Sequence, residues 1–406
     1  METFDMRLRH LFTVLMLPLF IAGTAMAQGV SPESAQKYTE GQDLFKKRHF
    51  QEALVAFEEA VKLDAKNAQA YRAQGKALEK LRNLDNAEEA YKMATSIKPD
   101  YIEAYFELGA LQYKRKSFES AQESFKQAIQ INPGFQDGKT QEYLEKAYSA
   151  QGGVYFKQRN YPKAAEQYEA ATQLNPANPS VFYNLGLAQQ RARKYSAAQE
   201  AFETAIDLDA NYARAHRSLG DLFKATNKNS QAISAYLNAI RADEKDNRSR
   251  LNLAIIYQSI TQNSKAISIL KEAAVIDPKD EQVLVALGKA YSDAKQYQSA
   301  IATYKKALAI KASPEGNYRI AVAYFESKQH QSAIAAANKA LSSRDWAVQA
   351  NVILGDCYRD LGEKEKAIEH YKKGTADRIY KKYCEDQIDR ILNPMGGGEE
   401  AGTEGQ

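Results

Sequence analysis

Chemistry-bearing residues are scarce in this chain. Of 406 residues only two are cysteine, Cys357 and Cys384, and five are histidine, His10, His49, His216, His330 and His370. No histidine has another histidine or a cysteine three or four residues away, so no metal site is indicated. A phosphate-binding glycine loop and a serine nucleophile elbow are both missing. No Val/Ile-rich run of strand type appears, and beyond the N-terminal stretch no segment is apolar enough to span a bilayer. The glutamates fall at helical spacing on solvent faces. These absences point to a helical protein that is not an enzyme and carries no cofactor. The formal net charge of +4 is too modest by itself to imply a polyanionic partner.

A 34-residue pattern takes their place and recurs ten times. Each copy sets Gly or Ala, then Tyr, Leu, Phe or Gln three residues on, an Ala nine later, an aromatic or Leu four after that, and usually another Ala. One copy reads Gly75, Leu78, Ala87, Tyr91, Ala94 and Pro99; the next reads Gly109, Gln112, Ala121, Phe125, Ala128 and Pro133. The small residues let two helices approach closely, the ring fills the space beside them, and Pro ends the second helix. The copies begin near Ser34, Ala68, Ile102, Glu145, Pro179, Ala213, Asn247, Glu281, Pro314 and Val348. Most of the 25 tyrosines, Tyr71, Tyr91, Tyr105, Tyr168, Tyr236 and Tyr304 among them, occupy the pattern's own packing positions.

Pattern and period resemble the tetratricopeptide repeat family, over Ser34 to Lys381. The resemblance implies an all-α, right-handed superhelical solenoid of about ten helix-turn-helix repeats with an inner groove. A lone helix pair cannot bury its apolar face, so the copies must stack. Residues 34–135 hold repeats one to three and 145–381 hold repeats four to ten. Between them 136–144 is an insertion that should lengthen the following helix by about two turns after a break at Gly138. A capping helix from Asp377 to Leu392 should cover the last repeat with Ile379, Tyr380, Tyr383, Ile388 and Ile391, so that 382–394 forms the end of the cap. The even cysteine pair invites a disulfide between cap and last repeat in an oxidising compartment; two buried thiols acting as small apolar residues are the alternative.

The ends read differently. Met6 to His10 is basic, Leu11 to Ala22 is apolar, and Ala25-Met26-Ala27 is a small-x-small cleavage pattern. Residues 1–27 are therefore expected to be a signal peptide, cleaved after Ala27 to leave Gln28 first, with 28–33 a linker. The rival is an uncleaved anchor, against which Pro18 and the shortness of the run count. The expected location is the periplasm or outside the cell. Residues 395–406 are glycine-rich and acidic, and read as a disordered tail.

Two surfaces stand out. In the resembled family, residues one after the Gly and three before or four after it face the groove. Those and neighbouring positions supply Phe106, Tyr113, Phe156 and Tyr183, then Asn184, Arg214, Arg217, Arg248 and Asn252. Asn can bond a peptide backbone and Arg can fork onto a carboxylate, so the groove suits a peptide with apolar anchors and acidic groups. The alternative is ordinary packing plus a solvated wall. The second surface is the turn between the two helices. Lys46-Lys47-Arg48, Lys80-Leu81-Arg82, Lys114-Arg115-Lys116, Lys157-Gln158-Arg159 and Arg191-Ala192-Arg193 hold twelve basic residues, against two in the same turns of repeats six to ten. Helix dipoles favour such cations by roughly 0.3–1 kcal/mol each, but every repeat has that dipole. The turns should form a basic ridge, either decoration or a site for an anionic glycan, lipid or acidic protein face; nucleic acid is not expected.

The functional expectation is an exported scaffold that organises other cell-envelope proteins and binds a partner segment in its groove. It resembles periplasmic repeat proteins that support outer-membrane, pilus or polysaccharide-export assemblies. The alternative is a polysaccharide- or anionic membrane-surface-binding module using the ridge.

Overall fold

The computed structural model describes residues 29–393, so the expected signal peptide and the acidic tail lie outside the described residues. Among the described residues there are 21 α-helices and no strand. They fall into two compact units that meet at Leu208 and Asp209, between repeats five and six.

The first unit pairs α1 (Pro32–Lys46) with α2 (Phe50–Leu63), α3 (Ala68–Lys80) with α4 (Leu84–Ile97), and α5 (Ile102–Lys114) with α6 (Phe118–Ile131). It continues with α7 (Lys139–Lys157) and α8 (Tyr161–Leu174), then α9 (Pro179–Arg191) and α10 (Tyr195–Leu208). The second unit pairs α11 (Ala213–Ala225) with α12 (Asn229–Ala242), α13 (Asn247–Ser259) with α14 (Asn263–Ile276), and α15 (Glu281–Asp293) with α16 (Tyr297–Ile310). Then come α17 (Pro314–Glu326) with α18 (His330–Ala340), α19 (Arg344–Asp360) with α20 (Lys364–Gly374), and finally α21 (Arg378–Leu392). The tenth pair thus starts at Arg344, four residues before the Val348 expected from the repeat register.

One contact builds each pair. The glycine of the first helix faces the ring sixteen residues on: Gly41 with Phe57, Gly75 with Tyr91, Gly109 with Phe125, Gly220 with Tyr236, Gly288 with Tyr304. A Cβ on Gly75 would sit 2.7 Å from the Tyr91 ring, and one on Gly288 2.5 Å from the Tyr304 ring. Burying such a ring is worth roughly 1.5–3 kcal/mol, and only glycine leaves room for it. The exceptions obey the same rule. Where Ala254 replaces the glycine the ring becomes Leu270, and opposite Ala321 it becomes Ala337; all four are fully buried.

The insertion forms a 3₁₀ turn, Phe135–Gly138, and leaves α7 with 19 residues against 13 in α5. Gln136, Asp137 and Gly138 all have positive φ, at 54°, 53° and 82°. The turn reverses the chain so that Leu144 is buried and Tyr143 lands on α5 and α6.

The cap α21 packs on α19 and α20 with Tyr380, Cys384, Ile388 and Ile391. Ile379 does not join them: it is 81 % exposed. It lies nine residues from Ile388, which at 100° per residue is the opposite side of the helix. Asp356 locks the cap, accepting from Tyr371 Oη at 2.7 Å, Tyr383 Oη at 2.6 Å and Arg359 at 3.1 Å. Cys357 and Cys384 are fully buried free thiols in the structure, not a staple between cap and repeat. Burial pushes their pKa up, to about 12 for Cys357 and about 11 for Cys384, which keeps them protonated and unreactive.

Gly288→Ala should cost about 1–3 kcal/mol of unfolding free energy in the second unit by overpacking, despite alanine's better helix propensity. Adding Tyr304→Leu should recover part of the loss, since Ala254 with Leu270 is the same pairing. Denaturant unfolding of the two variants checks both expectations, and additive losses would contradict them.

Candidate functional site

The lock residue fixes how each first helix is rotated. Counting from it, positions −6, −3, −2, +1 and +4 fall within about a third of a turn of one another. In the second unit these positions, taken from α11, α13, α15 and α17, line one cavity of about 1050 Å³. Leu251, Ile255, Val285 and Ala286 contribute its apolar surface, and Ile255 is 51 % exposed despite being an isoleucine.

Charges surround that surface. Asp221 accepts from Tyr236 Oη at 2.6 Å and from Asn252 Nδ2 at 3.0 Å, and Lys224 donates to Asn252 Oδ1 at 2.8 Å. Burial pushes the Tyr236 phenol up, so it remains a donor. Lys289 is paired with Asp293 at 2.8 Å and Arg319 with Glu315 at 2.6 Å. Arg248, Lys311 and Glu281 also line the cavity and have no ion pair or side-chain hydrogen bond among the described residues. Two uncommitted cations against one carboxylate leave the cavity short of negative charge.

The expected groove residues divide. Arg248 and Asn252 line this cavity. Arg217 is tied to the buried Asp246 at 2.9 Å, and Arg214 is exposed outside the lining. In the first unit the four aromatics do not form an open strip. Phe106 meets Phe125, Phe135 and Tyr143, with centroids 6.0, 5.9 and 5.6 Å away. Tyr113 packs on Phe118 and Tyr143, Phe156 on Tyr161, and Tyr183 on Phe202. Asn184 is half-buried. Two causes act: Tyr143 of the insertion covers the repeat-three rings, whereas Phe156 and Tyr183 pack on rings of their own repeats. A smaller cavity of about 160 Å³ lies instead on repeats one and two, between Tyr38, Phe45, Phe57 and Ala73, with Arg72 and Lys76 at its edge. Arg72 forks onto Glu107 at 2.7 and 2.8 Å. Tyr38 and Phe45 occupy the same −3 and +4 positions as Phe106 and Tyr113, so the same count applied to the first repeat would have found them. Leu251, Ile255 and Val285 were likewise within reach of that count.

The expected ridge is exposed at every turn. Lys114 reaches Glu79 at 3.0 Å and Lys46 reaches Asp43 at 3.4 Å. Arg48, Lys80, Arg82, Lys116, Lys157, Arg159, Arg191 and Arg193 have no ion-pair or side-chain hydrogen-bond partner among the described residues. Among the described residues there is also no cluster of three His, Cys, Asp or Glu suited to a metal, and no helix long and apolar enough to cross a membrane.

Family models described as tetratricopeptide repeat match residues 38–102, 102–135, 152–192, 183–247 and 219–281, together more than half of the chain. The chain belongs to the tetratricopeptide repeat family. A model of the anaphase-promoting complex, cyclosome, subunit 3 also matches residues 293–374. Among solved structures, the C-terminal part of a TPR repeat-containing protein from Cytophaga hutchinsonii is 21% identical, with a TM-score of 0.50, over 59% of this chain and 98% of that one. A tetratricopeptide repeat protein from Parabacteroides merdae is 15% identical, with a TM-score of 0.44, over 61% and 99%. YrrB, described as a TPR protein with an unusual peptide-binding site, is 16% identical, with a TM-score of 0.41, over 46% and 96%. These likenesses concern the fold. No curated protein matches the chain. Tetratricopeptide repeats are interaction modules, so the chain is a protein–protein interaction scaffold, of a family that is in general not enzymatic.

If the cavity's free groups serve a ligand and not the fold, Arg248→Ala and Ile255→Ser should change stability by no more than about 0.5 kcal/mol. Asp221→Ala removes the acceptor of Tyr236 and Asn252 and should cost about 1–3 kcal/mol. Thermal unfolding of the three single variants separates the two groups.

Proposed function

We propose that the chain is an exported scaffold of the cell envelope that holds a segment of a partner protein in the cavity of repeats six to nine. The observation that carries this is Ile255, half exposed on an apolar wall, beside the unpaired Arg248 and Lys311. An exposed isoleucine costs the free protein nothing in folding but gains from being covered, by about 25 cal/mol per Å² of apolar surface removed from water. The guanidinium of Arg248 offers two parallel donors to a carboxylate. The fitting occupant is an extended or helical segment with an aliphatic or aromatic anchor followed by Asp or Glu. Export is supported by the basic, apolar and small-x-small order of Met6 to Ala27. A second reading, a polysaccharide- or anionic membrane-binding module, rests on the unpaired cations of repeats one to five.

Selection of displayed random peptides on the chain tests the cavity. The expected winners pair an apolar anchor with acidic residues, and lose binding about tenfold or more on Arg248→Glu or Ile255→Asp, since a desolvated charge pair or a buried anchor is worth 2 kcal/mol or more. Winners indifferent to both substitutions would sink the reading. N-terminal sequencing of the mature chain tests export, with Gln28 the expected first residue.

A further inference from the structure

In repeats one to five the first helix ends in the same turn. Arg82 N bonds back to Glu79 O at 3.1 Å and Asn83 N to Leu78 O at 2.9 Å; Arg48 and His49 do the same with Phe45 and Leu44 at 3.0 Å each. This double bond pattern requires its third residue to be left-handed. The residues so placed are Arg48 (φ 66°), Arg82 (60°), Lys116 (63°), Arg159 (61°) and Arg193 (62°). Glycine takes that conformation without steric cost, and repeat ten uses it, at Gly362 (φ 78°). Repeats six to nine hold Asn227, Thr261, Lys295 and Lys328 there, also at positive φ, so the turn accepts a side chain but does not call for a cation, and the run of five cations is peculiar to repeats one to five.

Lys295 and Lys328 hold the same position in repeats eight and nine, but with Asp293 and Glu326 two residues earlier, and Lys328 lies 3.9 Å from Asp360. In repeats one to five that earlier residue is itself Lys or Arg. The five turns belong to successive stacked repeats, and side-chain contacts tie the second, third and fourth together. Lys114 of the third reaches Glu79 of the second at 3.0 Å, Arg115 reaches Glu88 at 2.7 Å, and Tyr155 of the fourth reaches Glu119 of the third at 2.6 Å. Those bonds also engage the nearby carboxylates, and Glu79 additionally accepts from Tyr91 Oη. Arg82, Lys116, Arg159 and Arg193 are left without an ion pair or side-chain hydrogen bond among the described residues, in a row of like charge that attracts an outside anion.

The geometry narrows the anion. The cations form a row one turn wide, not a field, and Tyr195 is the one large apolar side chain exposed at these turns among the described residues. Nothing else there would dip into a lipid surface. The rings beside the row are turned inward: Phe50 packs on Phe45 at 5.2 Å, Phe118 on Tyr113 at 5.5 Å and Tyr161 on Phe156 at 5.3 Å. Rings so engaged are poor platforms for stacked nucleic-acid bases. We propose that this edge binds a linear acidic polysaccharide, its carboxylates seated along the row of cations. The proposal rests on the second reading above and is independent of the cavity, which belongs to the other unit.

The test uses the full chain, a fluorescent polygalacturonate oligosaccharide, and the triple variant Arg82→Gly, Lys116→Gly, Arg159→Gly. Glycine suits the turn, so the variant should melt no lower than the parent, which removes misfolding as an explanation. The parent should bind the oligosaccharide at low salt and release it at high salt, and the variant should bind roughly tenfold more weakly or worse, with a shallower salt dependence. Cavity-selected peptides should bind parent and variant alike. Equal oligosaccharide binding by the variant, no binding by the parent, or a preference for oligothymidylate or for vesicles of phosphatidylglycerol would each overturn the proposal.

Discussion

The contact between a glycine on the first helix of a pair and the ring sixteen residues later governs the rest of this structure. It sets the distance between the two helices, because a Cβ in that place would fall inside the ring's van der Waals surface. It also sets the rotation of the first helix, and with it which five positions look outward. The ring is not only packing. Tyr236 passes its hydroxyl to Asp221, which holds Asn252, which holds Lys224, so a core residue ends in a chain of hydrogen bonds along the cavity wall. Repeat seven, with Ala254 and Leu270 in place of glycine and ring, has no such hydroxyl, and its +1 position is the bare Ile255. Part of the cavity's apolar surface, Leu251 and Ile255, thus falls on the repeat whose lock is itself apolar.

Periodicity made the fold legible. Ten copies in register placed seven first helices at their observed starts, missing Pro32, Lys139 and Arg344 by two to six residues, because small residues and rings at fixed spacing permit one kind of helix pair. The direction of the outward positions was legible for the same reason, although Arg248 and Asn252 lie at −6 and −2, beside the +1, −3 and +4 positions counted from the sequence. Availability was not legible. Whether an outward side chain is free depends on its neighbours in other repeats, and those neighbours are not fixed by spacing. Phe106 and Tyr113 are covered by Tyr143, a residue from outside the repeat pattern. Arg217 is spent on Asp246, which precedes the next pair. Ile379 was placed on the cap's inner face, where counting the turn to Ile388 would have put it outside.

Charge is handled differently in the two units. In the second, Asp221, Lys224, Lys289, Glu315 and Arg319 are held by ion pairs or hydrogen bonds, so the cations that are not, Arg248 and Lys311, mark the place where a partner's acid would be received. In the first, five consecutive turns hold a cation at the left-handed position, none of the five with an ion pair or side-chain hydrogen bond among the described residues. Both are surpluses left once folding has been satisfied, and that is the reason to read them as binding surfaces. An exposed apolar side chain alone would not suffice. Val275 is 80 % exposed on α14, a second helix, and lines neither of the two cavities described above.

That contrast supplies the most direct measurement of the central claim. A photo-crosslinking amino acid would be placed singly at Ile255, at Val285 and at Val275, and the chain irradiated in living cells. The account predicts one adduct of the same mass from Ile255 and Val285, and none from Val275. Adducts of equal yield at all three positions, or an adduct from Val275 alone, would show that the cavity is not where the partner is held.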